Sequence, residues 1–191
     1  MITRYRISGH PIKPTAFILL YIILFSDCRP EPERPLPFYP GKPEIPASIL
    51  KEHEYLLGRI HQITMFPDST GVIAKKMEEL MQHHFNEEEG YALPPLGLLP
   101  SLANAQWPEQ IKEILLLTEK LKSQMVHLNV EHQLINAYMN ELKQAAAKDK
   151  HSEVWEFEKE LLRHANLEEQ VLFPATLLIG EHLKFQQGIS H

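Results

Sequence analysis

From Ala47 onward, apolar residues recur at spacings of three and four, the period of an amphipathic helix. The first stripe, over about 47–65, puts Ile49, Leu50, His53, Leu57 and Ile60 on one face, and Pro67, Asp68 and Ser69 stop it. A second helix over about 70–89 turns Ile73, Met77, Leu80, Met81, His84 and Glu88 inward and ends at Gly90. Residues 90–107 hold Pro94, Pro95, Pro100 and two glycines among apolar residues, which predicts a crossing loop or short turn. Pro108 suits a first helical turn, and one long third helix runs to about Ala147 with the stripe Leu121, Met125, Leu128, His132, Ile135, Met139 and Leu142. Ser152 is placed to cap a fourth helix whose inward side reads Val154, Phe157, Leu161, His164, Glu168 and Val171, with Pro174 disturbing or ending it. The pattern predicts an all-α fold, an up-down-up-down four-helix bundle of two helical hairpins over 47–180, with 181–191 as a C-terminal tail.

Ahead of the helices the pattern changes twice. Arg4, Arg6 and Lys13 precede an apolar run from Ala16 to Phe25, too short to span a bilayer comfortably. Residues 1–28 therefore read as an export signal, and Cys28 stands where a lipoprotein signal carries its lipid-bearing cysteine, although Asp27 departs from that pattern. Prolines at 30, 32, 35, 37, 40, 43 and 46 make 29–46 an extended linker, because they remove donors and fix the backbone. The expectation is an exported protein, periplasmic or tethered to a membrane through its N-terminus. Without a functional signal it would be cytoplasmic.

Composition narrows the chemistry. The net charge of the 191 residues is -6, with no basic stripe, which argues against nucleic acid as a partner. One cysteine excludes internal disulfides and leaves at most one thiolate ligand, while eleven histidines are available. Any metal would be held by nitrogen and oxygen.

The candidate ligands occur in a repeat. His84-Phe85-Asn86-Glu87-Glu88-Glu89 is matched about 80 residues later by His164-Ala165-Asn166-Leu167-Glu168-Glu169, each histidine lying ten residues before a proline. Upstream of each copy stands a Glu-His pair, Glu52-His53 and Glu131-His132. At 1.5 Å per residue, His53 lies about 18 Å before the end of its helix and His84 about 21 Å after the start of the next, so a hairpin sets them level. The second hairpin places His132 and His164 about 22 and 18 Å from its turn. Glu88 and Glu168 lie one turn beyond their histidines on the same faces.

A lone His-x-x-x-Glu is ordinarily a surface pair, and a lone histidine in a stripe is ordinarily a hydrogen-bonded core residue. Four imidazoles and two carboxylates gathered in one core layer are costly unless a metal satisfies them. This donor set suits iron, manganese or zinc, and two carboxylates able to bridge suggest two ions with open positions for solvent or a small diatomic ligand.

The motifs Glu52-His53, His84-Phe85-x-x-Glu88-Glu89, Glu131-His132 and His164-x-x-x-Glu168-Glu169 with Leu172-Phe173-Pro174 resemble the haemerythrin-like HHE cation-binding family across about 47–175. The resemblance implies a non-haem di-iron centre, two iron ions with manganese or zinc ranking behind. His53, His84, His132 and His164 would be terminal ligands, with Glu88 and Glu168 bridging. It further implies a protein that binds or senses oxygen or nitric oxide. Haemerythrins proper supply five histidines, and here the fifth stays open between His61 and His127. His127 is about 140° around its helix from His132, and His61 is about 80° from His53. A di-iron oxidase or iron-linked repair protein ranks behind, because no Glu-x-x-His motif of the ferritin-like oxidases is present. An interaction module with a structural metal is the third reading.

Overall fold

The computed structural model describes residues 43–188, which are helical apart from short connections and contain no strand. Residues 1–42, with the signal-like segment, Cys28 and most of the proline-rich tract, lie outside the described residues, as do 189–191. Among the described residues, no helix is long and apolar enough to cross a membrane.

Helix α1 spans Ala47–Thr64 and α2 spans Ser69–Glu87. Asp68 caps α2 by accepting from the Thr70 backbone N–H at 3.1 Å. The short α3 covers Leu99–Ala103, and α4 runs over 39 residues, Ile111–Asp149, about 58 Å at the standard rise. Its end is turned by Lys150 in a left-handed conformation at φ 68°. Helices α5, Glu153–Leu167, and α6, Phe173–Gln186, complete the described chain.

Side-chain contacts set the helices side by side. His61 meets Glu78 between α1 and α2, Thr70 meets Asp149 between α2 and α4, Lys143 meets Glu158 between α4 and α5, and Tyr55 meets Glu160 between α5 and α1. Each of these pairs joins helices that run in opposite directions, because further contacts farther along one helix fall earlier along its neighbour.

Two apolar clusters fill the interior. One gathers Leu56, Ile60, Met77, Met81, Phe85, Met139, Leu142, Phe157 and their neighbours from α1, α2, α4 and α5. The other gathers Ile49, Tyr91, Leu93, Leu96, Leu121, Leu128, Phe173 and Ile179. Along α1 the sequence passes from Ile49 in the second cluster through His53 to Leu56 in the first, and along α4 from Leu128 through His132 to Ile135. The polar layer is therefore sealed between two apolar ones, where burial of large side chains supplies about 1.5–3 kcal/mol each.

Several boundaries differ from the periodic reading. Gly90 does not end the second helix and Pro174 does not end the fourth. Both helices pass into a π turn, Glu88–Ala92 and Glu168–Leu172. The turns have a common cause in the prolines ten residues after each histidine. A proline offers no N–H, and in an α-helix its ring presses on the carbonyl four residues back. Widening the turn relieves this: the N–H of Leu93 reaches the Glu88 carbonyl at 2.9 Å, and that of Phe173 reaches the Glu168 carbonyl.

The extra residue also carries Val171 off the inward stripe, leaving it half exposed, and brings Phe173 into the core. Over 90–107, where the sequence predicts a crossing loop or short turn, the chain forms a 3-10 turn at Pro94–Leu98 and then the short helix α3. The long helix starts at Ile111 rather than at Pro108, and Ser152 makes no side-chain cap. Residues 181–186 belong to α6, with Leu183 buried, so the tail expected from 181 begins later. On α1 and α2, Leu56, Ile63, Ala74 and Phe85 join Ile49, Ile60, Met77 and Met81 in the buried interior, while Leu50, Leu57, Ile73 and Leu80 are only partly covered.

Candidate metal centre

The six expected ligands come together in one buried layer. His53, His84, Glu88, His132, His164 and Glu168 are each at most 5% exposed. They form two donor sets, His53, His164, Glu88 and Glu168 on one side, and His84, His132, Glu88 and Glu168 on the other. Within each set one atom from every residue lies within 4.8 Å of the rest. Both carboxylates are common to both sets. Each set draws its two imidazoles from different copies of the repeat, α1 with α5 and α2 with α4, so neither hairpin completes a set alone.

Each glutamate lies one turn after its histidine and faces it: His84 Nε2 is 3.0 Å from Glu88 Oε1, and His164 Nε2 is 3.0 Å from Glu168 Oε1. The other two imidazoles close the layer, with His53 Nε2 3.4 Å from Glu168 Oε1 and His132 Nε2 3.5 Å from Glu168 Oε2. Two phenylalanines wall it. Phe85 stacks on the His53 ring at 4.0 Å, and Phe173 lies parallel to His132 at 6.2 Å.

A ring of outer carboxylates orients the imidazoles. His53 Nδ1 donates to Glu89 at 2.8 Å, His84 Nδ1 to Glu131 at 2.9 Å, and His132 Nδ1 to Glu169 at 2.7 Å. A carboxylate only accepts, so the proton of each ring sits on Nδ1 and the Nε2 lone pair points inward. The fourth, His164 Nδ1, lies 3.7 Å from Glu52, which accepts from Arg163 at 2.9 Å. These partners are the residues beside the ligands in the chain. Glu131 precedes His132 yet accepts from the other copy's His84, and Glu52 precedes His53 and lies near the other copy's His164, whereas Glu89 and Glu169 follow the inner glutamates and accept from His53 and His132.

The consequence is a layer of acceptors without donors. The buried atoms His84 Nε2, His132 Nε2, His164 Nε2, both Glu88 oxygens and Glu168 Oε2 have no hydrogen-bond partner. Buried polar atoms are normally satisfied, and converging lone pairs and carboxylates are satisfied by cations. Protons meet part of the need. Burial and the neighbouring Glu168 carboxylate push Glu88 well above the usual carboxylate range. Burial also pushes Glu168 up, but His132, His164 and His53, whose rings would donate to it once protonated, outweigh it and hold that carboxyl well below the range. At His53 and His132 burial works against the charged ring, and the carboxylates, Glu168 foremost, more than offset it and raise both. The residues present fit a metal pair, which would displace these protons.

A small cavity reaches the layer. It is lined by His84, Phe85, His132, Ile135, Asn136, Leu161, His164, Ala165 and Glu168, and Asn136 is exposed at the surface. The two histidines considered for a fifth position stay outside: His61 is exposed and pairs with Glu78 at 2.8 Å, and His127 is exposed and pairs with Glu87 at 2.8 Å.

No protein-family model matches the chain, and neither a curated protein nor a solved structure matches it.

Proposed function

We propose that the buried layer holds a dinuclear non-haem iron centre and that the protein binds or senses oxygen or nitric oxide there. The observation that carries this reading is the pair of donor sets sharing Glu88 and Glu168, an arrangement for two ions bridged by two carboxylates. Two imidazoles and two shared carboxylate oxygens per ion suit iron better than a thiolate-preferring or all-oxygen metal. The ions would supply open coordination positions for a small diatomic ligand.

The chain's own residues do the rest. Glu89, Glu131 and Glu169 fix three imidazoles with Nε2 inward, which raises their basicity as ligands. Phe85, Phe173 and the two apolar clusters keep bulk water out. The small cavity beside Asn136, Ile135 and Leu161 leaves space next to the layer for a ligand about the size of a water molecule. The order of ligands along the chain supports placing it with the haemerythrin-like HHE family, with α1, α2, α4 and α5 as its four-helix bundle. The charge order ahead of the apolar run at 16–25 supports export and a tether through the N-terminus.

Anaerobic reconstitution with ferrous iron tests the reading. Two iron ions per chain are expected, and admission of oxygen or nitric oxide should change the near-ultraviolet and visible spectrum. Absence of iron uptake would overturn it, and uptake with no response to either gas would leave a structural metal as the better account.

A further inference from the structure

The His-x-x-x-Glu spacing occurs twice more, and not in the buried layer. His83 and Glu87 lie on α2, His127 and Glu131 on α4. Residues four apart share a helix face, and since these helices run oppositely, the histidine of each pair meets the glutamate of the other. His83 Nδ1 is 3.1 Å from Glu131 Oε1, and His127 Nε2 is 2.8 Å from Glu87 Oε2 and 3.6 Å from Glu131 Oε1. One ligand atom each from His83, Glu87 and Glu131 falls within 4.8 Å of the other two. His127 approaches the same two carboxylates.

We propose that this face of α2 and α4 is a second metal site, taking one divalent transition-metal ion of borderline softness, such as zinc, with His83, Glu87 and Glu131 as ligands and His127 as the fourth. Nitrogen and oxygen donors in these numbers match a tetrahedral zinc site and not a calcium site. The exposed His61 with Glu78 and the half-buried His151 with Asp68 each meet a single carboxylate and form simple pairs. Here two carboxylates and the His83 imidazole converge with His127 beside both carboxylates, and Glu131 is 7% exposed, so it is held in place rather than free to swing.

Glu131 gives the site a consequence. Its Oε1 faces His83 while its Oε2 accepts the Nδ1 proton of His84, a member of the buried layer. A cation on Oε1 draws charge from that carboxylate and weakens the hydrogen bond that makes His84 basic. The surface ion thus loosens the hold of one buried ligand. This coupling rests on the buried layer being a metal centre, whereas the surface site does not.

Zinc titration of the full chain, followed by calorimetry and metal analysis, decides it. The unaltered chain should bind one zinc ion more than the double variant His83→Ala/His127→Ala, and zinc should raise its Tm more. Both substituted rings are exposed, and matched far-ultraviolet circular dichroism checks that the variant folds. His61→Ala should keep the full number, and His164→Ala, which disrupts only the buried set, should keep the surface ion. Equal zinc stoichiometry and affinity in the double variant and the unaltered chain would overturn the proposal. Cobalt in place of zinc should give visible bands of a four-coordinate ion that the double variant lacks, and bands retained there would also count against it.

Discussion

The two copies of the repeated unit agree at their centres and differ at their ends. At the centre, α1 with α2 and α4 with α5 contribute equivalent residues: two histidines, an inner glutamate that opens a π turn, and outer glutamates beside them. At the start, α2 is doubly anchored, by Asp68 and by Asp149 reaching over from the end of α4, whereas α5 has no side-chain cap. Beyond the π turns, the first copy breaks into a 3-10 turn and α3, while the second continues as α6. The agreement covers the residues that the donor layer needs and stops at the two prolines. The segments past those prolines are free to differ because they only have to cover the second apolar cluster.

The largest expected effect tests the agreement. Glu88→Ala and Glu168→Ala should each abolish dinuclear loading, seen by metal analysis, while far-ultraviolet circular dichroism shows that the apolar stripes still fold the helices. Full loading in either variant would contradict the shared role of the two carboxylates.

The next tests the difference at the exits. A Cβ at Gly180 of α6 would meet Thr118 Oγ1 at 2.4 Å and Cβ at 2.7 Å, where two helices are packed and neither side yields easily. A Cβ at Gly97 would meet the Glu44 carbonyl oxygen at 2.1 Å, but residues 43–46 belong to no helix, so only one side of that contact is held by a helical element. Gly180→Ala should therefore cost about 1–3 kcal/mol, the usual range for overpacking, and Gly97→Ala less, by denaturant unfolding. The reverse order would mean that the segment before α1 is the stiffer partner.

The smallest lies at the start of α2. Hydrogen bonds from the Ser69 hydroxyl at 2.6 Å and from Thr70 hold the Asp149 carboxyl below the usual aspartate range. A pKa depressed by folding stabilises above the unfolded value, and that contribution is lost as pH falls through the folded one. Asp149→Asn should thus lower stability modestly at neutral pH, and the gap to the unaltered chain should close in acid. A gap that stays constant would assign the effect to shape rather than charge.

Much of the donor layer was legible from spacing alone. His53, His84, His132 and His164 each replace an apolar residue in a regular stripe, and distances from the hairpin turns that agree to within one helical turn set them level, so arithmetic on single helices was sufficient. The outer carboxylates were visible only as neighbours of the ligands. That Glu52 faces His164, and Glu131 faces His84, depends on which helices lie side by side, which no one-helix period contains. The π turns were hidden for a different reason: Gly90 and Pro174 ordinarily terminate a helix, and a helix that tolerates them by widening has the same local composition as one that stops. Val171 and Phe173 exchanged places as a direct result. His127 stood about 140° around its helix from His132, and that it and His83 reach the carboxylates of each other's helices depends on the pairing of α2 with α4.

The outer carboxylates also shape how a cation would find the layer. Glu52, Glu88, Glu89, Glu131, Glu168 and Glu169 account for six of the 25 acidic side chains, and the remaining nineteen match the 19 lysines and arginines of the chain. The layer and its outer ring thus gather acidic side chains into one slab of the molecule. Such a concentration focuses its field outward and speeds the capture of positive ions at low ionic strength, with the advantage fading as salt shortens the screening length to about 10 Å at 0.1 M. Two divalent ions would cancel most of it, so filling the layer also switches the attraction off.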